Sequence, residues 1–212
     1  MIIADPKTRE EWLTARQAGL GGSDAACIVD MNPWKSARQL FKEKTGMETP
    51  SDISGKPVVQ FGKNAERHIR ELFLLEHPEL TCEYHEFRMY ANDRYPYIYA
   101  TLDGELAKEK RRGILEIKTT TIHSSQKWQS WNGRIPQNYY VQILHQFLAC
   151  EWAEFAVLYA YIRLPEHAAK LQEYWIERRE VQADMHYLLT QEVKFWYNIQ
   201  NGEMPPDILP EI

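Results

Sequence analysis

Apolar residues at helical spacing give the chain its longest signals. From about Val58 the residues Phe61, Ala65, Ile69, Leu72 and Phe73 recur on one side of a helix that Pro78 ends. A second helix is predicted from about Gln137 to Cys150, with Val141, Leu144 and Leu148 along one face. Near the C-terminus a long helix carries the stripe Val181, Met185, Leu188, Leu189, Trp196 and Ile199. At the other end Trp12–Gln17 is helical until Gly19, Gly21 and Gly22 interrupt it, and Ser23 or Asp24 caps a short successor. Ser36 with Gln39 makes a capping box for a helix that stops at Gly46. Alternation predicts strands over Cys82–Tyr90, Tyr97–Leu106 and Ile114–Thr120, and in "EFAVLYAYIR" and "EYWIER". Thr49–Lys56 and "SSQKWQSWNGRIP" are loops. This order implies an α/β fold, a central mixed sheet flanked by helices, in one domain spanning residues 1–212.

Two of these strands break the apolar rule. "YIYATLDGELAKEKRRGILEIKTTT" alternates like a hairpin, yet it puts Asp103, Glu116 and Lys118 inside the strands. Successive strand side chains face opposite ways, so Glu116 and Lys118 share one face and Leu115 and Ile117 the other. With Asp103 across from Glu116, Leu106 faces Gly113 and the loop is Ala107–Arg112. Directly opposed residues have Cβ atoms about 4.5–5.5 Å apart, so two carboxylates converge beside an ammonium. Such repulsion is relieved most simply by a divalent cation. The competing reading is a solvated strand face with an ordinary cross-strand ion pair.

Composition narrows the classes. A chain of 212 residues with 44% hydrophobic and 12% aromatic content supplies a substantial core. No apolar run has the length of a membrane span, and "MIIADPKTREEW" lacks the apolar core of a signal peptide. Cys27, Cys82 and Cys150 are scattered and odd in number, which fits buried thiols in a reducing, cytoplasmic compartment. With a formal net charge of -5, contact with a polyanion must come from local patches.

Other side chains are candidates for the same chemistry. Glu66 lies beside the buried stripe of its helix, on the side of Ile69 and Phe73, and is either a site carboxylate or a rim glutamate. "NYYVQILHQFLAC" lines up Tyr139, Gln142 and Gln146, with His145 beside them; this stripe suits phosphate or water positioning, or is simply a surface face. In "GLGGSDA" glycines expose main-chain N–H groups, and Arg16 just upstream adds a guanidinium suited to a phosphate. The histidines show no zinc-ligand spacing.

Taken in order, "R…GLGGSDAACIVDMNPWKS…LFKEKTG", "FGKNAERHIRELF", "TLDGEL", "ILEIKTT" and "YYVQILHQ" resemble the lambda exonuclease (YqaJ-type viral recombinase) family from about Arg16 to Cys150. The resemblance implies a restriction-endonuclease-like fold and a magnesium-dependent nuclease of the PD-(D/E)xK class, with manganese as a substitute ion. Members digest one strand of duplex DNA from its 5′ end and leave a 3′ overhang for recombination. By motif match Asp103 and Glu116 become metal ligands, with the Ile117 carbonyl as a further one, and Lys118 the catalytic lysine. Glu66 and Gln142 match further catalytic positions, Tyr139 and Gln146 flank the substrate, and Arg16 with Ser23 forms a 5′-phosphate pocket. The resemblance also implies DNA ends as substrate, a trimeric homo-oligomer, and a single-strand annealing protein as partner. Two positions depart from the pattern: Leu102 replaces the proline of the motif, and Leu144 stands where many relatives carry a second glutamine. An endonuclease or repair nuclease on the same fold is the nearest alternative, and a non-catalytic DNA-binding or annealing module a more distant one.

Overall fold

In the computed structural model, which describes residues 1–206, the chain opens with a short strand, β1 (Ile2–Ala4), and helix α1 (Arg9–Ala15). A tight turn at Arg16–Ala18 leads to α2 (Gly22–Ile28) and α3 (Ala37–Lys44). Next come α4 (Pro57–Glu76), β2 (Thr81–Glu83), β3 (Met89–Ala91), β4 (Tyr99–Ala100), β5 (Gly104–Lys108) and β6 (Arg111–Thr121). The remainder is α5 (Ser125–Gln129), α6 (Gln137–Ala149), β7 (Phe155–Arg163), β8 (Ala169–Glu177) and α7 (Gln182–Asn201).

The main sheet has five strands in the order β2-β5-β6-β7-β8. Only the β6–β7 pair is parallel, and α6 makes the crossover between them. Those two strands are covered on both faces, which is why β7 reads as an almost unbroken apolar run, while β6 is apolar only around its charged residues Glu116 and Lys118. On one face α4 sets Ile69 and Phe73 against Leu115, Ile117, Val157 and Tyr159. On the other, Ile143, Phe147 and Leu148 of α6 pack with Ile114, Leu158 and Ala160, and α2 and α7 lie behind. Burying a side chain such as Phe73 or Phe147 completely stabilises the fold by roughly 1.5–3 kcal/mol each. A smaller sheet, β1-β3-β4, sits beside the main one. Among the described residues no helix is long and apolar enough to cross a membrane. The three cysteines are free; Cys27 and Cys150 are buried.

Several elements differ from the sequence reading. The expected strand Cys82–Tyr90 is two strands in different sheets, β2 and β3. Tyr97–Leu106 is likewise cut into β4 and β5, with Thr101–Asp103 between them. The cut has a cause from outside the strand: Arg70 Nε donates to the Asp103 carbonyl at 2.6 Å, and the Asp103 side chain accepts the Ile117 N–H at 2.8 Å. A side-chain oxygen has taken the place that a continued ladder would give to a main-chain carbonyl. The hairpin register itself is as expected, with Leu106 opposite Gly113. Its loop, though, is shorter than Ala107–Arg112: pairing continues to Lys108 opposite Arg111, leaving the turn Glu109–Lys110 with Glu109 at φ 55°. The basic residues tolerate pairing because each has a carboxylate nearby, Glu79 for Lys108, Glu177 for Arg111 and Glu105 for Arg112. Helix α2 is capped by Gly21; Ser23 and Asp24 lie inside it, and Asp24 Oδ2 reaches back to the Gly21 N–H. Ser36 caps α3, but the Gln39 amide turns to Glu43 and Glu48 and does not close the box. "EYWIER" is only the second half of β8, and the loop after β6 contains α5.

Candidate active site

The break between β4 and β5 opens the sheet beside Glu116. Strand alternation turns Glu116 towards α6, where it is only 2% exposed. Gln142 Nε2 donates to Glu116 Oε1 at 2.7 Å, Gln146 Nε2 donates to Oε2, and Lys118 Nζ pairs with Oε1. The amides stand four residues apart on α6, so one helix face presents both to one carboxylate. The missing second glutamine at Leu144 therefore matters little, because Gln146 occupies the second Glu116 oxygen. The stripe that sequence left open as a surface face is an interior one. Tyr139 completes it, its ring centroid 4.9 Å from Lys118 Nζ. Burial opposes the Lys118 charge, yet Glu116 and Asp103 together hold its pKa above the ordinary lysine value.

Asp103 reaches the same place from the end of the broken strand. Burial pushes its carboxyl well above the usual range, and the charges of Glu116 and Glu66 push the same way. Glu66 on α4 is raised as well, first by burial and then by Glu116, against the pull of Arg70. Arg70 Nη2 donates to Glu66 Oε1 at 2.7 Å while its Nε holds the Asp103 carbonyl, so one guanidinium ties the helix to the strand break. Its central carbon lies 3.7 Å from the Tyr84 ring centroid. Arg70 escaped the sequence reading, although its spacing of four from Glu66 was the available signal. Asp103 and Glu66 open onto a cleft of about 440 Å³ whose walls include Arg9, Trp12, Lys63 and Arg67.

Arg16 and Ser23 meet beside α6. Arg16 Nη2 donates to Ser23 Oγ at 3.1 Å, and the guanidinium lies over the Trp12 ring at 4.5 Å. This corner touches the carboxylate site through Gly22: a Cβ there would stand 3.1 Å from Gln142 Cγ, so a side chain would press on the amide that holds Glu116. The structure thus gathers Asp103, Glu116, Lys118, Glu66, Tyr139, Gln142 and Gln146 around one opening, with Arg16 and Ser23 adjoining.

The donor set fits a hard divalent ion. Among the described residues no three His, Cys, Asp or Glu side chains converge closely enough to hold an ion alone, so other oxygens must contribute. A carboxylate has about four lone-pair sites, and the three donors on Glu116 leave room for one more contact. Asp103 uses Oδ2 on the Ile117 N–H. A strand residue presents N–H and C=O to the same side, so the Ile117 carbonyl faces the opening that Asp103 faces. Burial and the neighbouring carboxylates disfavour the charged forms of Asp103 and Glu66, and a divalent ion beside them would favour those charged forms again.

Fold and site together define the class: this is the mixed α/β fold of solved exonucleases. An alkaline exonuclease from Laribacter hongkongensis superposes with a TM-score of 0.67 at 18% identity, covering 92% of this chain and 94% of its own. A phage-related exonuclease from Haemophilus somnus 129PT gives 0.57 at 13% identity, covering 88% and 96%. The chain belongs to the YqaJ-like viral recombinase domain family, which matches residues 11–152 and so takes in every site residue named above except Arg9 of the cleft wall. The uncharacterized protein YqaJ of Bacillus subtilis (strain 168) is 29% identical over 212 residues, 93% of this chain, and this chain spans 59% of that relative's length.

Proposed function

We propose that this protein is a magnesium-dependent exonuclease that digests linear duplex DNA from its 5′ ends and leaves a 3′ single-stranded overhang. The observation that carries the reading is the convergence of Asp103, Glu116 and Lys118 at a break in the sheet, in a chain whose family and fold are those of recombination nucleases. Asp103, Glu116 and the Ile117 carbonyl would hold magnesium, or manganese in its place. When bound, the ion supplies a Lewis acid for the phosphodiester and an acidified water as nucleophile. The chain's own residues do the rest. Gln142, Gln146 and Lys118 fix the Glu116 carboxylate, so little reorganisation is needed during reaction. The Lys118 ammonium places a positive charge where charge develops on the phosphate oxygens and orients the attacking water. Glu66, held by Arg70, is the carboxylate on the cleft side and positions that water. Arg16 with Ser23 takes the terminal 5′-phosphate, and Trp12 supports the guanidinium. The Laribacter exonuclease has been solved in complex with dAMP, a nucleotide ligand consistent with such chemistry.

End-labelled linear duplex set against closed circular DNA, with magnesium and with EDTA, tests the reading. Release of 5′-labelled mononucleotide from the linear duplex alone, abolished by EDTA, is the expected result. Cutting of the closed circle would make the protein an endonuclease of the same fold. Binding without any cutting would reduce it to a DNA-binding module.

A further inference from the structure

Lys44, at the last turn of α3, belongs neither to the carboxylate cluster nor to the cleft. Its side chain is only 8% exposed. Nζ donates to the Arg16 carbonyl at 3.0 Å and to the Gly19 carbonyl at 2.7 Å. It also stands 3.0 Å from Asp24 Oδ2, the atom that accepts the Gly21 N–H. Three acceptors satisfy the three donors of an ammonium. The Tyr99 hydroxyl donates to the same Arg16 carbonyl at 2.6 Å. The turn from Arg16 to Gly21 is therefore wrapped around a cation that comes from another helix.

Burying an ammonium is costly unless it is paired and hydrogen-bonded, so a lysine in this place needs a reason. Charge supplies one. Arg16 and Asp24 alone would cancel, and an anion arriving at this corner would meet no net attraction. With Lys44 present, one positive charge is left over. Burial would raise the Asp24 carboxyl, yet Lys44 and Arg16 hold it below its ordinary value, so it keeps its charge and needs neutralising.

We propose that Lys44 is a positioning residue for the terminal-phosphate pocket: it fixes the main chain beneath Arg16 and cancels Asp24, so that the guanidinium beside Ser23 is left to attract a 5′-phosphate. This rests on the end-recognition part of the proposed function. The experiment compares Lys44→Met with the unmodified protein on linear duplexes that carry either a 5′-phosphate or a 5′-hydroxyl, under magnesium. The expected result is a KM about tenfold higher on phosphorylated ends, the effect of losing one charge-assisted contact, with a much smaller change on hydroxyl ends and in kcat. A folded Lys44→Met that keeps the wild-type preference overturns the assignment, and so does one that loses both substrates equally. Equal rates on the two ends in the unmodified protein overturn the pocket itself, and the role of Lys44 with it. Should Lys44→Met fail to fold, Asp24→Asn carries the test. It removes the carboxylate beside Arg16 and leaves Lys44 on its two carbonyls, so KM on phosphorylated ends falls severalfold; an unchanged or raised KM there overturns the proposal.

Discussion

Lys118 and Glu116 form a pair that either partner alone would destabilise. An ammonium and a carboxylate that are nearly buried repay their lost hydration only together, and here two glutamine amides complete the arrangement. Lys118→Ala should therefore lower kcat by about 10²–10³-fold, the scale of removing one fixed donor from a developing oxyanion. Duplex binding in a gel shift should stay within severalfold of the unmodified protein, because binding draws on cations elsewhere. Wild-type turnover in the variant would remove Lys118 from the reaction. Glu66→Gln keeps an acceptor for Arg70 and deletes only the charge, so it should depress activity far more than the melting temperature. A variant of normal activity would return Glu66 to a rim position. At this scale much was legible in the sequence, since strand alternation alone puts Glu116 and Lys118 on one face and Asp103 opposite. The amide stripe was visible but its surroundings were not: periodicity ranks polar positions along a helix without saying whether water or a carboxylate faces them. Arg70 showed only its spacing of four from Glu66. Its hold on the Asp103 carbonyl, like that of Lys44 on the Arg16 and Gly19 carbonyls, is on main-chain groups far off in sequence that carry no residue-type signal.

At the scale of elements, the contact of α6 with α7 holds the amide stripe in place. His145, between Gln142 and Gln146, is fully buried; its Nδ1 faces Glu192 Oε1 at 2.6 Å and its Nε2 faces the Tyr99 carbonyl at 2.8 Å. The Tyr99 carbonyl can only accept, so Nε2 carries a proton, and the Glu192 carboxylate facing Nδ1 favours a second one there. Burial opposes that charge, but Glu192 on α7, the Tyr99 carbonyl in β4 and the more distant Asp24 on α2 together raise the pKa above its ordinary value of 6.5. A histidine that is raised on folding binds its proton more tightly in the folded state. Its contribution is then complete below the unfolded value and is lost as pH climbs through the raised folded one. Urea unfolding should show stability falling from near pH 6.5 upward over that window, and the slope should vanish in Glu192→Gln. The variant should also lose about 3–5 kcal/mol at pH 6, the usual result of removing one member of a buried pair. A pH slope that survives Glu192→Gln would assign it to another group. Elements of this kind were only partly legible. The long helices followed from periodicity, which acts locally, and the β5–β6 register from setting Asp103 across from Glu116. The split of Tyr97–Leu106 did not, because what ends the strand is Arg70 reaching across from α4.

For the whole molecule the question raised by the proposed function is how a chain of formal net charge -5 would hold a polyanion. Long-range attraction cannot come from the total, so it must come from where the cations stand. On one side of the carboxylate site the cleft is lined by Arg9, Lys63 and Arg67, while Arg16 stands by Ser23. Lys63 and Arg67 lie on the outer face of α4, on the helix whose inner face packs against the sheet, so core packing fixes the spacing of the charges over the cleft. Arg67 is shared with Glu71 at 2.9 Å, but both side chains are exposed, where such a pair contributes at most about 1 kcal/mol and a phosphate competes readily. Counterion release then gives a quantitative expectation. Each phosphate neutralised contributes about 0.7–0.9 to the slope of log K against log salt, the lower figure for single strands. Measured by fluorescence anisotropy on a short linear duplex with EDTA, Lys63→Ala and Arg67→Ala should each make that slope shallower by somewhat less than one. They should also weaken binding of all sequences alike, because these contacts reach the backbone and not the bases. The comparison is Lys170→Ala, whose ammonium lies over Trp128 at the far edge strand β8 and should leave the slope unchanged. If Lys63→Ala and Arg67→Ala keep the parental slope while Lys170→Ala lowers it, the duplex lies along β8, and the cleft beside Asp103 is not its path.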